Sequence, residues 1–154
     1  MKVYLVQHGV PKPESEDPQK PLSEQGKKEV EAVAKILKEK GIKVSRIFHS
    51  GKLRARETAE ILADYLSPEK GLSQAEGLNP LDSPEIWEEK LKDFEEDIML
   101  VGHLPHLQKL CSKLVIGDSE KPILKFRQGG VVALEREEKW QWIIIWTLYP
   151  DFVI

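Results

Sequence analysis

Short apolar runs recur along the chain, and each is followed by polar or turn-forming residues. Runs of this kind, rich in β-branched and aromatic residues, are typical of strands that are buried on both faces. The charged residues 136–139 separate the last two runs and predict a hairpin loop there. The pattern therefore predicts six strands, at residues 2–6, 44–50, close to Leu72, 97–103, 129–137 and 140–148.

Helical periodicity fills the intervals between the first five of these runs. Apolar residues recur there three or four positions apart, as in an amphipathic helix with one buried face. The first helix is expected to begin after Ser23, a suitable N-cap, and to end at Gly41. Three further helices are predicted at residues 53–66, 84–94 and 104–115.

Strands and helices therefore alternate, and two strands follow the last helix. Parallel strands need crossover connections, which place helices on the faces of the sheet. This order predicts an α/β fold, a three-layer sandwich with a mostly parallel central sheet. Residues 1–154 contain no repeat, linker or low-complexity segment, so a single domain is expected.

Composition narrows the range of functions. The 154 residues include 23 Lys and Arg against 26 Asp and Glu, and this net charge of −3 lacks the basic footprint of a nucleic-acid-binding protein. Cys111 is the only cysteine, which excludes an intrachain disulfide and a multi-cysteine zinc site and favours a packing role in its helix. No apolar run is long enough to cross a bilayer and no secretory signal is recognised, so we expect a cytoplasmic protein without membrane contact.

Polar residues follow three of the predicted strands and are the first indication of a functional site. The carboxyl ends of parallel strands lie at one edge of a sheet, where ligands bind in open α/β folds, so these residues are expected to meet. Imidazoles, guanidinium groups and helix N-termini together suit an anion, most simply a phosphate. The residues are Gln7, His8 and Gly9 after the first strand, His49 and Ser50 with the following Lys52, Arg54 and Arg56 at the second, and Gly102 and His103 at the fourth.

The same segments resemble a known family. The stretches "YLVQHG" (4–9), "SGKLRARETA" (50–59) and "MLVGHLPHL" (99–107) are similar to three motifs of the histidine phosphatase superfamily. The stretches "DPQKPLSEQGKKEV" (17–30) and "FRQGGVVALERE" (126–137) resemble its SixA-type phosphohistidine phosphatases. The resemblance spans nearly the whole chain and implies a phosphoglycerate mutase-like fold.

The resemblance implies a role for each matched residue. His8 takes the position of the nucleophile, which forms a phosphohistidine intermediate that water then hydrolyses. Arg54 and His103 take the positions that hold the phosphoryl group and stabilise the charge that grows on it. Gly9 is expected to leave room for the phosphoryl oxygens, and Ser50 to bind substrate beside them. No metal ion or other cofactor is expected, because cationic side chains do the neutralising.

Two features depart from the family pattern. Gln7 stands where the family usually has arginine, and its uncharged amide could weaken phosphate binding by about 1–3 kcal/mol unless Lys52 or Arg56 restores the charge. No residue matches the carboxylate that larger members use as a proton donor, and Glu76 and Asp82 are the candidates. An imidazole leaving group depends less on such an acid than an alkoxide does, which favours a phosphoryl–nitrogen substrate.

Three functions stay open at this point. The first is a phosphatase for phosphorylated protein histidine, favoured because few insertions are available to cover the site. The second is hydrolysis of a small phosphomonoester, and the third is binding of phosphate or a phosphorylated partner with little turnover. His103 and His106 could share a helix face as metal ligands, although no third ligand is apparent. Trp142 and Trp146 are expected to share one face of the last strand and to pack in the core.

Overall fold

The computed structural model describes residues 1–138 and 141–153 as six strands and four α-helices around one sheet. The strands are β1 (Lys2–Gln7), β2 (Arg46–His49), β3 (Leu72–Gln74), β4 (Ile98–Gly102), β5 (Val131–Arg136) and β6 (Trp142–Leu148). The helices are α1 (Glu24–Glu39), α2 (Leu53–Leu66), α3 (Pro84–Lys90) and α4 (His106–Ile116). None of the helices in these ranges combines the length and the apolarity that crossing a bilayer requires. The predicted alternation of strands and helices is confirmed.

The sheet has the strand order β3-β2-β4-β1-β5-β6. The first four strands of this order run parallel to one another, whereas β5 and β6 are antiparallel to their neighbours. A helix precedes each of β2, β3 and β4, as the crossover between parallel strands requires. As a result, the carboxyl ends of β1, β2, β3 and β4 lie along one edge of the sheet.

Helices cover both faces of the sheet, so the predicted three-layer sandwich is confirmed. One core lies between the sheet and the pair α3 and α4, and includes Leu100 and Trp87. The other lies between the sheet and the pair α1 and α2, and includes Met99 and Leu62. Neighbouring residues of β4 thus point into opposite cores. Burial of both faces explains why the sequence of β4 is apolar throughout instead of alternating.

The start of α1 holds the preceding loop in place. Ser23 caps the helix as predicted, because its Oγ accepts the Gly26 N–H at 3.0 Å. The same hydroxyl donates to the Val10 carbonyl oxygen at 2.9 Å. In addition, the Lys12 N–H donates to the Pro21 carbonyl oxygen at 2.7 Å. The two ends of the loop between β1 and α1 are therefore fastened to each other beside the helix N-terminus.

Several predicted boundaries shift by a few residues. The helix predicted over residues 84–94 is α-helical to Lys90 and continues as a 3-10 turn over Leu91–Asp93. The last helix begins at His106, so Pro105 is its N-cap residue and not part of its first turn. The core of each element, where the apolar periodicity is strongest, lies where it was predicted.

The last strand departs from the predicted pattern. Trp142 packs in the core beneath α3 and α4, whereas Trp146 packs against the core on the opposite face. The pairing of β5 with β6 contains a bulge between Ala133 and Leu134, and an extra residue in β6 reverses the alternation of its side chains. The prediction that the two tryptophans share a face is therefore wrong. Trp140, where the predicted strand begins, lies outside the described residues.

Candidate active site

Main-chain hydrogen bonds from both sides fix the end of β1. The His8 N–H donates to the Gly102 carbonyl oxygen, at the end of β4, at 3.0 Å. On the other side, the Gly129 N–H lies 2.9 Å from the Gln7 carbonyl oxygen and 3.1 Å from that of His8. Gly129 has a φ of +76°, which glycine adopts without steric cost. The backbone that carries the His8 side chain is therefore held firmly at the sheet edge.

The imidazole of His8 is oriented by the next residue in the chain. Its Nδ1 lies 2.7 Å from the Gly9 carbonyl oxygen. Because a carbonyl oxygen only accepts hydrogen bonds, Nδ1 must carry the proton. In the neutral ring, Nε2 is then the unprotonated nitrogen and keeps its lone pair. His8 therefore presents a potential nucleophile in a defined orientation.

The surroundings of His8 keep this ring neutral. Burial lowers the pKa of His8 to about 4, against the raising effect of the hydrogen bond to Gly9, and the charges of Arg54 and Lys20 lower it further. An unperturbed histidine titrates near pH 6.5, so this ring is uncharged throughout the neutral range. The site thus holds a neutral imidazole close to two cations.

His103 follows β4 and provides a second imidazole. The centroids of the His8 and His103 rings lie 5.0 Å apart. Nε2 of His103 lies 2.6 Å from Oγ of the buried Ser50, while its Nδ1 has no hydrogen-bond partner within residues 1–138 and 141–153. Burial lowers the pKa of His103 to about 3, with further lowering from the charges of His8 and Arg54. The structure therefore places the ends of β1, β4 and β2 around one small space.

Arg54 lies in the first turn of α2, directly beyond the end of β2. Its charge lowers the pKa of both His8 and His103, so the guanidinium lies within electrostatic range of both rings. Burial in turn lowers the pKa of Arg54. The N-cap residue of α2, Lys52, forms no side-chain hydrogen bond to the helix. An anion at this place would meet a guanidinium and the positive end of a helix.

Gly9 has a packing role that its sequence context does not indicate. A Cβ atom at this position would lie 2.8 Å from Cγ2 of Val30 and 3.2 Å from Cδ2 of Leu22, which is too close for unaltered packing. The Gly9 N–H donates to Oγ1 of Thr58 at 2.9 Å, and Thr58 donates to the Arg54 carbonyl oxygen at 2.8 Å. The close approach of α1 is enough to require glycine here. That Gly9 also leaves room for phosphoryl oxygens stays a prediction.

A cation from another part of the chain acts electrostatically on His8, next to the uncharged Gln7. Gln7 is 8% exposed, and its Oε1 has no hydrogen-bond partner among the described residues. Lys20, half-buried in the loop before α1, lowers the pKa of His8 through its positive charge. No motif in the sequence singles out Lys20. The available signal is its place in the segment 17–30, which resembles SixA-type phosphatases as a whole.

The two cations considered as substitutes for the missing arginine act on other histidines. Lys52 is exposed, and its charge acts on the pKa of His103. Arg56 is exposed and lies 4.0 Å from a carboxylate oxygen of Glu60. Its charge acts on His49. Of the cations in this neighbourhood, Arg54 and Lys20 are therefore the two that influence His8.

A depression of about 330 Å³ opens beside Ser50. Its walls include Glu76 and Asp82, the two candidate proton donors. The Asp82 carboxylate accepts the Asn79 N–H at 2.9 Å, which holds it in place, whereas Glu76 is exposed. The structure thus brings both carboxylates to the Ser50 side of the site.

His106, considered with His103 as a possible metal ligand, is a buried histidine. His106 is fully buried, and neither of its ring nitrogens has a hydrogen-bond partner in the part of the chain that the structure describes. Burial lowers its pKa to about 4, and the Asp82 carboxylate opposes this shift. Within residues 1–138 and 141–153, no three His, Cys, Asp or Glu side chains cluster in a way that could hold a metal ion.

His49 and Cys111 carry reactive groups, but their contacts indicate structural roles. The Nδ1 of His49 accepts the Gly51 N–H at 3.0 Å, so this histidine shapes the turn between β2 and α2. Cys111 is fully buried in α4, and burial raises the pKa of its thiol to about 12. A thiol of this kind is a poor nucleophile, so the predicted packing role of Cys111 is confirmed.

Comparison with known sequences gives two matches. A family model described as the histidine phosphatase superfamily, branch 1, matches residues 3–99. This range contains His8 and Arg54 and ends before His103. An uncharacterised protein of Picosynechococcus sp. strain PCC 7002 is 31% identical over 142 residues, which cover 87% of this chain and 84% of that protein.

Solved structures resemble this one along almost the whole chain. The protein histidine phosphatase SixA, complexed with tungstate, matches with a TM-score of 0.88 and 21% identity over 100% of both chains. A phosphoserine phosphatase variant from Entamoeba histolytica, in complex with phosphoserine, matches with a TM-score of 0.71 and 14% identity over 99% of both. A phosphoglycerate mutase from Bacillus anthracis gives 0.70 and 16%, over 99% of this chain and 95% of that one. These matches confirm the expected fold. Because one fold can host many functions, the substrate of this protein has to be argued from its site.

Proposed function

Because this chain belongs to the histidine phosphatase superfamily, we propose that it is a phosphatase that works through a phosphohistidine intermediate on His8. The observation that carries the proposal is the 2.7 Å hydrogen bond between His8 Nδ1 and the Gly9 carbonyl oxygen. It leaves Nε2 as the nitrogen with the free lone pair. The lowered pKa of His8 keeps that nitrogen unprotonated at neutral pH, as a nucleophile must be.

The proposed reaction has two displacement steps. In the first, Nε2 of His8 forms a bond to phosphorus while the bond from phosphorus to the leaving group breaks. The leaving group departs with the electron pair of that bond and takes up a proton. In the second, water attacks phosphorus and releases a proton to the solvent, which balances the proton taken up in the first step. The N–P bond breaks, and its electron pair returns to Nε2 as phosphate is released. The Gly9 carbonyl stabilises the positive charge that the ring carries between the two steps.

We assign stabilisation of the phosphoryl charge to Arg54, Lys20 and His103. A planar guanidinium can hold two phosphoryl oxygens at once, and Arg54 influences both histidines. Lys20 contributes the charge that Gln7 does not carry. Ser50 positions the His103 ring through their 2.6 Å contact. Arg54 and Lys20 supply the positive charge for the phosphoryl oxygens, and the uncharged His103 contributes a hydrogen-bond donor. We therefore propose that no metal ion is needed and expect activity to survive exhaustive chelation.

We propose protein phosphohistidine as the substrate class. Its leaving group is an imidazole, which departs as a stable neutral base once it is protonated and makes little demand on an enzyme acid. This suits a site whose candidate acids lie beyond Ser50 instead of next to His8. A chain of 154 residues also has few insertions with which to cover the site, so we expect a protein-borne group to reach it.

Hydrolysis of a small phosphomonoester is the second candidate. The observation in its favour is that Glu76 and Asp82 both line the depression beside Ser50. A carboxylic acid there could protonate the alkoxide that leaves from such a substrate. Comparable turnover of sugar phosphates and of a phosphohistidine protein would favour this candidate.

The decisive experiment follows the phosphoryl group onto the enzyme. A histidine phosphocarrier protein is labelled with radioactive phosphate, mixed with the enzyme and quenched in alkali, which preserves phosphohistidine. We expect label on His8 of the enzyme and release of inorganic phosphate.

Two variants give this experiment its controls. His8→Ala removes the nucleophile, so both the label and the release should disappear. His49→Asn removes the imidazole at the neighbouring strand end, keeps a side-chain acceptor for the Gly51 N–H and should retain both. Tight phosphate binding without a labelled His8 would instead indicate a binding module, and the proposed function would be wrong.

A further inference from the structure

The depression beside Ser50 lies on the side of the site away from His8. The sheet order β1, β4, β2, β3 places His8, His103, Ser50 and then Gln74 in succession along the edge. In a phosphoryl transfer the attacking and the leaving atoms lie roughly in line on opposite sides of phosphorus. If phosphorus lies between His8 and Ser50 along this edge, the leaving group lies on the side where the depression opens. Ser50, 5% exposed, lines this depression while its Oγ lies 2.6 Å from His103 Nε2.

The charge of this depression is opposite to that of the phosphate site. Its polar walls are the carboxylates of Glu76 and Asp82 and the amides of Gln74 and Asn79. No lysine, arginine or histidine lines it among the described residues. The cations that act on His8, in contrast, are Arg54 and Lys20. Lys90, outside the lining, donates from Nζ to the Glu76 carbonyl oxygen at 3.4 Å and partly offsets the negative charge there. A substrate that spans the site therefore passes from two cations near its phosphoryl group to two carboxylates near its leaving group.

Apolar side chains accompany the carboxylates. Leu81, next to Asp82 in the chain, is 89% exposed, and Ile86 of the depression wall is 40% exposed. These two side chains are accessible for apolar contact with a segment that is bound at the carboxylates. A cavity of about 330 Å³ also exceeds the volume of a single imidazole and leaves space for neighbouring side chains.

We propose that this depression is a specificity subsite that binds the polypeptide around the phosphohistidine and selects basic residues beside it. The proposal rests on the proposed function and adds to it a rule for substrate choice. Glu76 and Asp82 attract lysine or arginine side chains near the leaving imidazole and repel carboxylates. Leu81 and Ile86 add apolar contact with the same segment.

Two peptides with the same scissile bond test the proposal. Each contains one phosphohistidine, flanked by two lysines in one peptide and by two glutamates in the other. Because the bond that breaks is identical, any role of an enzyme acid cancels in the ratio of the two kcat/KM values. At low ionic strength we expect the lysine peptide to be preferred by about fivefold or more, and added salt to reduce this preference.

Charge-neutralising variants connect the preference with the depression. Glu76→Gln and Asp82→Asn should each lower the ratio of kcat/KM values about twofold, and the double variant should bring it close to one. Glu31→Gln removes the same charge from an exposed position of α1 and should leave the ratio unchanged. The variants keep the size of each side chain, and in Asp82→Asn the amide oxygen of the new side chain can still accept the Asn79 N–H.

The outcomes separate the two proposals. If both peptides are hydrolysed at equal rates, or if the double variant keeps the full preference, the subsite is wrong while the proposed function stands. If neither peptide is hydrolysed and His8 is never labelled, the proposed function fails and the subsite fails with it. A preference that falls only in the Glu76 and Asp82 variants supports the subsite.

Discussion

The parallel and antiparallel halves of the sheet have different tasks. In the parallel half, the ends of β1, β4 and β2 are followed by His8, His103 and Ser50. In the antiparallel half, β5 and β6 carry mainly apolar side chains into the two cores. Parallel strands bring their carboxyl ends to one edge, whereas antiparallel strands alternate in direction and do not. Chemical groups can therefore accumulate at one edge only where the strands are parallel.

The antiparallel half nevertheless supports the site through its backbone. Gly129, just before β5, donates its N–H between the carbonyl oxygens of Gln7 and His8. Away from the site, the side chain of Arg136, at the end of β5, donates to the Leu91 and Phe94 carbonyl oxygens at 3.1 and 3.0 Å. These bonds close the core beneath α3. We therefore expect substitutions in the parallel half to change catalysis and substitutions in the antiparallel half to change stability.

The largest effect is expected from Arg54→Ala. Removing a charge that stabilises the phosphoryl group should lower kcat/KM for a phosphohistidine protein by about 100- to 1,000-fold. Arg56→Ala, two residues further along the same helix, removes an exposed charge and should change kcat/KM less than about twofold. Urea unfolding should show similar free energies of unfolding for both variants. Equal losses of kcat/KM in the two variants would contradict the assignment of Arg54.

Leu134→Ala in β5 should show the opposite behaviour. Leu134 is fully buried, so its truncation should lower the free energy of unfolding by about 2–5 kcal/mol. The kcat/KM of the folded protein, measured well below the unfolding transition, should stay close to that of the original chain. Ile143→Ala removes a partly exposed side chain of β6 and should cost less than about 1 kcal/mol. A large loss of kcat/KM in Leu134→Ala would contradict the assignment of catalysis to the parallel half and stability to the antiparallel half.

His106→Leu tests the buried histidine at the start of α4 through its pH dependence. The pKa of His106 is lowered to about 4 in the folded protein, so between pH 6.5 and 4 the unfolded chain binds more protons than the folded one. Stability therefore falls as the pH falls through this window, and His8 and His103 contribute in the same direction. Replacing His106 removes one contribution, worth about 2 kcal/mol at pH 5. Denaturant unfolding measures the free energy of unfolding at pH 5 and at pH 8, and the difference between these two values should be smaller for the variant. An unchanged difference would contradict burial of His106 as a source of the pH dependence.

The smallest effect is expected from Gln7→Arg. An added charge near the phosphate site should tighten the binding of inorganic phosphate about tenfold, because a charge-assisted hydrogen bond replaces a neutral one. Calorimetric titration with phosphate measures this change directly. Gln141→Arg adds the same charge at an exposed position of the antiparallel half and should leave phosphate affinity unchanged. If Gln7→Arg fails to tighten binding, Lys20 already supplies all the charge that the site uses.

Much of the fold could be predicted because strand and helix periods are local properties of a sequence. The apolar runs of β1 and β4 and the cap at Ser23 lie where the pattern places them. Resemblance to histidine phosphatases likewise indicates His8, Arg54 and His103, because each of these residues lies in a short motif of near neighbours. The face of Trp146 was predicted wrongly because a bulge in β6 depends on how β6 pairs with β5, which no period along one strand reveals.

The sequence by itself thus determined the order of the elements and the residues that follow each strand, since both depend on near neighbours in the chain. Tertiary structure alone decided which groups meet. It brought Lys20 into electrostatic range of His8, packed α1 against Gly9, and opened the depression with Glu76 and Asp82 beyond Ser50. These outcomes depend on contacts between residues far apart in the chain, because strand order and helix packing are set by burial of the two cores as a whole.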